Sequence, residues 1–206
     1  MSRPAAENWV GTWAIAAQPA LGAPVEYNNQ TLRLIVHTSI GGDAVRVRFS
    51  NAFGSTPLEI GGAHVARRAV QAAIQDGTDR ALTVGGRDSF TIPTGAAVWT
   101  DPVGLGVEAL SDLALSVYLP KPTRAETDHF LALQTSYVSH RDGNVGSAVD
   151  LPGATPITTW PFVTGVDVRT SAHGFAVVAL GDSIAEGAAS TLDTNRRWPD
   201  LLAARL

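Results

Sequence analysis

Cysteine is absent from this 206-residue chain, so neither a disulfide framework nor a thiolate metal site can form. No apolar stretch approaches the ~20 residues that cross a bilayer, and no membrane partner is expected. The opening residues, Met1-Ser-Arg-Pro-Ala-Ala-Glu-Asn8, lack the apolar core of a signal peptide. The expected setting is therefore the cytoplasm, or the mature form of a secreted protein. Basic residues are few: 15 Lys and Arg stand against 19 Asp and Glu, a net charge of −4. A nucleic-acid partner would need a basic face, and none is expected. The arginine doublets Arg67-Arg68 and Arg196-Arg197 are expected on solvated surface. The histidines His37, His64, His129, His140 and His173 form no His-x-His or His-x-x-x-His pair, so neither a metal nor a cofactor is expected.

What is present is a β-rich text. A hydrophobic fraction of 45% with 17% charged residues belongs to a globular chain. Ala44–Ser50 alternates strictly, with Val45, Val47 and Phe49 on one face and Arg46 and Arg48 on the other, the period of a half-buried strand. The preceding run Thr31–Thr38 is separated from it by Ser39-Ile-Gly-Gly-Asp43, so a hairpin joining the two is expected. Leu113–Leu119 alternates again and is stopped by Pro120 and Pro122. Further strands are expected over Val10–Ala16, Leu58–Val65, Ala81–Val84, Ser89–Ile92, Ala97–Trp99, Gln134–Ser139 and Thr158–Val163. Turn residues such as Gly61-Gly62, Gly85-Gly86 and Pro152-Gly153 separate them. Many short strands with 20 Gly and 12 Pro predict an antiparallel β-sandwich or jelly roll over residues 1–171.

From residue 172 the pattern changes. Phe175-Ala-Val-Val-Ala-Leu180 is apolar on both faces, as a buried parallel strand would be, and it ends abruptly in Gly181-Asp182-Ser183. Trp198–Leu206 then reads as a helix, with Pro199 and Asp200 suited to its first turn. Residues 172–206 are thus predicted to be the first βα unit of a separate α/β domain. So short a unit cannot cover both faces of its strand, and self-association or a complementing chain is expected to do so.

Ser183 is the candidate catalytic residue. A glycine bend at the end of a strand lifts a serine hydroxyl above the sheet edge, where following N–H groups can hold the charge that develops in acyl transfer. The plain alternative is a polar turn whose hydroxyl caps a helix. Position 185 is Ala, so this is not the Gly-x-Ser-x-Gly elbow of α/β-hydrolases. Among histidines, His173 lies on the wrong side of the expected strand, and His37 falls within one. His140, with Asp142 two residues on, sits in a loop that could lean over the site, while His64 and His129 carry no signal. Trp9, Trp13, Trp99, Trp160 and Trp198 are either core residues or sugar-stacking platforms, and Trp13 and Trp160 fit the core.

Val178-Ala-Leu-Gly-Asp-Ser-Ile-Ala-Glu-Gly187, followed by Asn195-Arg-Arg-Trp-Pro-Asp-Leu-Leu-Ala203, resembles the first block of the GDSL, or SGNH, hydrolases. Gln30-Thr-Leu-Arg, Ile35–Gly42 and Arg46–Gly54 are similar to the β-sandwich module that precedes some bacterial members. The resemblance implies a flavodoxin-like catalytic domain in which Ser183 is the nucleophile and its N–H serves the oxyanion hole, with Gly181 and Asp182 as structural neighbours. Small acyl esters, acetylated carbohydrates among them, are the implied substrates, cleaved without a cofactor. Ala185-Glu186 stands where Thr-Asp is common. The later blocks that carry the oxyanion Gly and Asn and the Asp-x-x-His base have no match here. The expectation is therefore a truncated hydrolase, weakly active or inactive alone. The rival expectation is a non-catalytic carbohydrate-binding or interaction module.

Overall fold

A computed structural model of the chain describes residues 8–140, 143–171 and 174–206. In chain order the strands are β1 (Trp9–Ala14), β2 (Gln18–Pro19), β3 (Glu26–Tyr27), β4 (Gln30–His37), β5 (Gly42–Ser50), β6 (Leu58–Ile60), β7 (Gly62–Arg67), β8 (Arg80–Leu82) and β9 (Phe90–Ile92). They continue with β10 (Ala97–Trp99), β11 (Val103–Val107), β12 (Asp112–Leu119), β13 (Thr123–Arg124), β14 (Thr127–Asp128), β15 (Ser136–Val138), β16 (Thr155–Ile157) and β17 (Val163–Arg169). Two short helices follow, α1 (Ser183–Glu186) and α2 (Trp198–Ala203).

The chain is mainly β and its ladders are antiparallel. One sheet runs β1-β17-β5-β10, with β11 also paired to β5; the other runs β16-β15-β4-β12-β7-β8. Alternation explains how they meet. Val45, Val47 and Phe49 of β5 and Val166 and Val168 of β17 face Leu32, Leu34 and Val36 of β4 and Leu113, Leu115 and Val117 of β12, all at most 1% exposed in a shared core. Trp13 and Trp160 close it edge to face, ring centroids 5.0 Å apart. This is the arrangement of a β-sandwich.

Several strand expectations require correction. β4 and β5 do not form a hairpin: β4 pairs with β12 and β15, β5 with β17, β10 and β11, so the link between them crosses from one sheet to the other. Neither Gly41 nor Gly42 adopts a positive φ. They are needed for close approach, since a Cβ on Gly41 would lie 2.5 Å from the Val107 carbonyl oxygen and one on Gly42 would overlap the Arg169 carbonyl. Leu58–Val65 divides at Gly61 into β6 and β7, and the strand expected over Thr158–Val163 is displaced to β16 and β17. Phe175–Leu180 pairs with no strand among the described residues. Its side chains are exposed, Val178 at 87% and Leu180 at 98%, because a parallel strand needs neighbours on both edges and nothing described supplies them.

The six-stranded sheet is buried on its outer face as well, and Arg33 is the reason. It is fully buried on β4, opposite Ser116 of β12. Its Nε donates to Ser116 Oγ (3.1 Å), Nη1 to the Ala72 carbonyl (2.7 Å), and Nη2 to those of Gly146 (3.0 Å) and Ala148 (2.8 Å). Two connecting segments are thereby strapped across the sheet over Ile35, Ala66, Ile74 and Ala114. Burial pulls the guanidinium below its ordinary proton affinity, while Asp79 and Asp150 oppose that shift. Arg33→Leu strands these acceptors and is expected to lower stability by about 3 kcal/mol or more. Urea unfolding followed by tryptophan fluorescence measures it; an unchanged midpoint would remove Arg33 from this role.

Candidate functional site

Gly181, Asp182 and Ser183 form the start of α1. A Cβ on Gly181 would collide with the Cβ of Ala185, so glycine is what lets the chain fold back against the helical turn. Asp182 is the N-cap: its Oδ1 accepts from the Ile184 N–H at 2.9 Å. Gly187 ends the turn in the left-handed region, φ 95°, and its N–H returns to the Ile184 carbonyl. The Ala185 carbonyl accepts from the indole N–H of Trp198 at 2.6 Å, which ties α2 to α1. Ser183 is exposed, and its hydroxyl has no hydrogen-bond partner among the described residues.

This turn rests on the sandwich through polar contacts. Glu186 Oε1 meets His129 Nε2, and His129 is 2% exposed. His129 Nδ1 lies 3.0 Å from the Ala16 carbonyl. Both ring nitrogens are thus engaged, and the imidazole ties the Ser183 turn to the sandwich. Asp193 accepts from the Thr135 N–H (2.5 Å), Thr135 Oγ1 (2.6 Å) and Gln134 Nε2 (2.8 Å). Asn195 donates to Asp112 Oδ1 at 3.1 Å, and Arg197 lies 5.6 Å over the Trp160 ring while bonding Asp200. Arg68 and Arg197 are thus largely buried in ion pairs, at 16% and 13% side-chain exposure, where solvated surface was expected.

The histidines divide by partner. His37 Nδ1 donates to Asp112 Oδ1 at 2.7 Å, and His64 Nδ1 meets Asp79 Oδ2 at 3.0 Å. His37 and Asp112 line an open depression of about 450 Å³ with Arg68, Gln71, Leu110 and Asn195. His140 is exposed beside Gly153; Asp142 and His173 lie outside the described residues. No described imidazole bonds Ser183. His129 and Glu186, 57 residues apart, are the pair that sequence reasoning missed. The one available signal was Glu186 itself, a longer carboxylate where the resembled motif has a shorter one.

No family model matches the chain, and no curated protein is significantly similar to it.

Asp112 accepts from His37, Arg68 and Asn195. Burial raises its proton affinity, but hydrogen bonds from His37 and Arg68 outweigh that and hold it below the ordinary carboxylate range. A group so depressed adds stability above that range and loses it as pH falls through the folded-state value. Asp112→Asn is therefore expected to cost about 1–2 kcal/mol at neutral pH and to flatten the fall in stability toward about pH 3. Urea titrations at both pH values check this, and parallel profiles for the two proteins would contradict it. Glu186→Ala strands a buried imidazole and should weaken the seating of α1 by about 3 kcal/mol. Hydrogen exchange should then accelerate across residues 183–203 and stay slow in β4 and β12; unchanged exchange at α1 would refute the anchor.

Proposed function

We infer that this chain carries the nucleophile of a serine ester hydrolase of the GDSL, or SGNH, kind, mounted on a β-sandwich of jelly-roll type. The observation that carries the reading is the state of Ser183: a solvent-facing hydroxyl with no partner among the described residues, at the mouth of a turn that needs Gly181 to form and Asp182 to cap it. In the reaction the Oγ attacks the ester carbonyl carbon, its proton passes to a base, and the alcohol leaves to give an acyl-serine that water then cleaves. Gly181 sets the bend, Asp182 holds the turn, and Glu186 anchors it to His129. The base must come from outside the described residues, since their imidazoles are engaged elsewhere or lie apart from Ser183. Phe175–Leu180 supports the same reading. Its six uncharged residues are those of an internal strand in a flavodoxin-like sheet, and self-association or a complementing chain would cover them. Small acyl esters, acetylated carbohydrates included, are the proposed substrates.

An external base tests this. With a short-chain nitrophenyl acetate, the chain alone is expected to turn over little above background. Added imidazole should yield acetyl-Ser183, found by peptide mass and absent from Ser183→Ala. Acetyl groups spread evenly over the exposed serines would overturn the reading.

A further inference from the structure

The outer face of the five-stranded sheet carries a second constellation, remote in sequence from Ser183. With Val45, Val47, Val166 and Val168 turned into the core, Arg46, Arg48 and Asp167 face outward beside Trp9 and Trp99. The Arg46 guanidinium carbon lies 4.8 Å from the centroid of each indole, and its Nε (2.9 Å) and Nη2 (2.7 Å) both bond Asp167 Oδ2. The two indoles are therefore clasped about one cation in fixed positions, yet Trp99 keeps 37% of its surface in solvent. Arg48, adjacent to Trp99 in register, is exposed and has no ion partner among the described residues.

Glycines on this face complete the picture. Gly11, Gly104 and Gly106 lie exposed within strands and have no positive φ. A Cβ on Gly11 would meet Asp167 Oδ1 at an ordinary 3.6 Å, and one on Gly104 or Gly106 would meet nothing within 4 Å. Packing does not require glycine there; the ladders are irregular between Gly11 and Trp13 and between Gly104 and Val107, where strand glycines commonly sit, and the absent side chains leave that surface open.

We propose that this face binds an acidic oligosaccharide. Sugar rings stack on the indoles, whose fixed positions reduce the ordering cost of binding. A ring carboxylate pairs with the open guanidinium of Arg48. Asp167 offsets Arg46 and Asp43 offsets Arg169, whereas Arg48 has no such partner among the described residues, on a chain of net −4. That balance suits a carboxylated glycan and is too weak for a polyphosphate backbone. The site goes beyond the ester-hydrolase reading and does not depend on it.

The test is titration of the chain with oligogalacturonate, using a cello-oligosaccharide as the neutral control and tryptophan fluorescence as the readout. Oligogalacturonate carries no ester, so the outcome is independent of Ser183. Binding is expected for the charged oligomer, weakened about ten-fold or more by Trp99→Ala and by Arg48→Ala, with the thermal midpoint of each variant retained. Charged-oligomer binding should also fall with added salt. No binding, binding indifferent to both substitutions, or equal affinity for the neutral oligomer would each overturn the assignment.

Discussion

A buried guanidinium governs how this protein is closed. An arginine taken fully from water is costly unless its donors are met, and Arg33 meets its own by drawing in carbonyls from two distant segments. The result is a sheet covered on both sides, one by the opposing sheet and one by its own connections. Arg67-Arg68 leads directly into the first of those segments, and Asp112 lies across from it on β12. The depression beside Asn195 thus takes its shape from the same strapping that satisfies Arg33.

The seating of the Ser183 turn obeys a different logic. Apolar burial builds the sandwich, but the turn is held by carboxylates and an amide: Glu186, Asp193 and Asn195 face the sandwich, while Ile184, Val178 and Leu180 face solvent. A segment that docks through its polar side leaves its apolar side available. The hydroxyl of Ser183 is presented at that boundary.

Local grammar was legible in the sequence and partnership was not. The alternation of Ala44–Ser50 and Leu113–Leu119 places the right residues inward, and Ala97–Trp99 is a strand as read. Period two says which face is buried without saying which strand lies alongside, so two neighbouring runs with a glycine link were read as a hairpin although they belong to different sheets. At the site, the Gly181 bend and the Asp182 cap follow from residue type over a few positions. The His129–Glu186 bridge does not, because either residue alone is ordinary and only the fold brings them together. Phe175–Leu180 was legible as an apolar run, but burial depends on neighbours that composition alone cannot provide.

The position of β17 bears on how the molecule comes into being. This last strand of the sandwich lies between β1, the first, and β5, so a growing polypeptide leaves the ribosome with that sheet split at its centre. Until residues Val163–Arg169 emerge, the edges of β1 and β5 stay open and the valines of β5 have no lateral shield. Closure is then a single late, long-range event, as in other β topologies dominated by distant pairings, which fold slowly. A nascent chain of this design must be kept from its neighbours until its final strand is made.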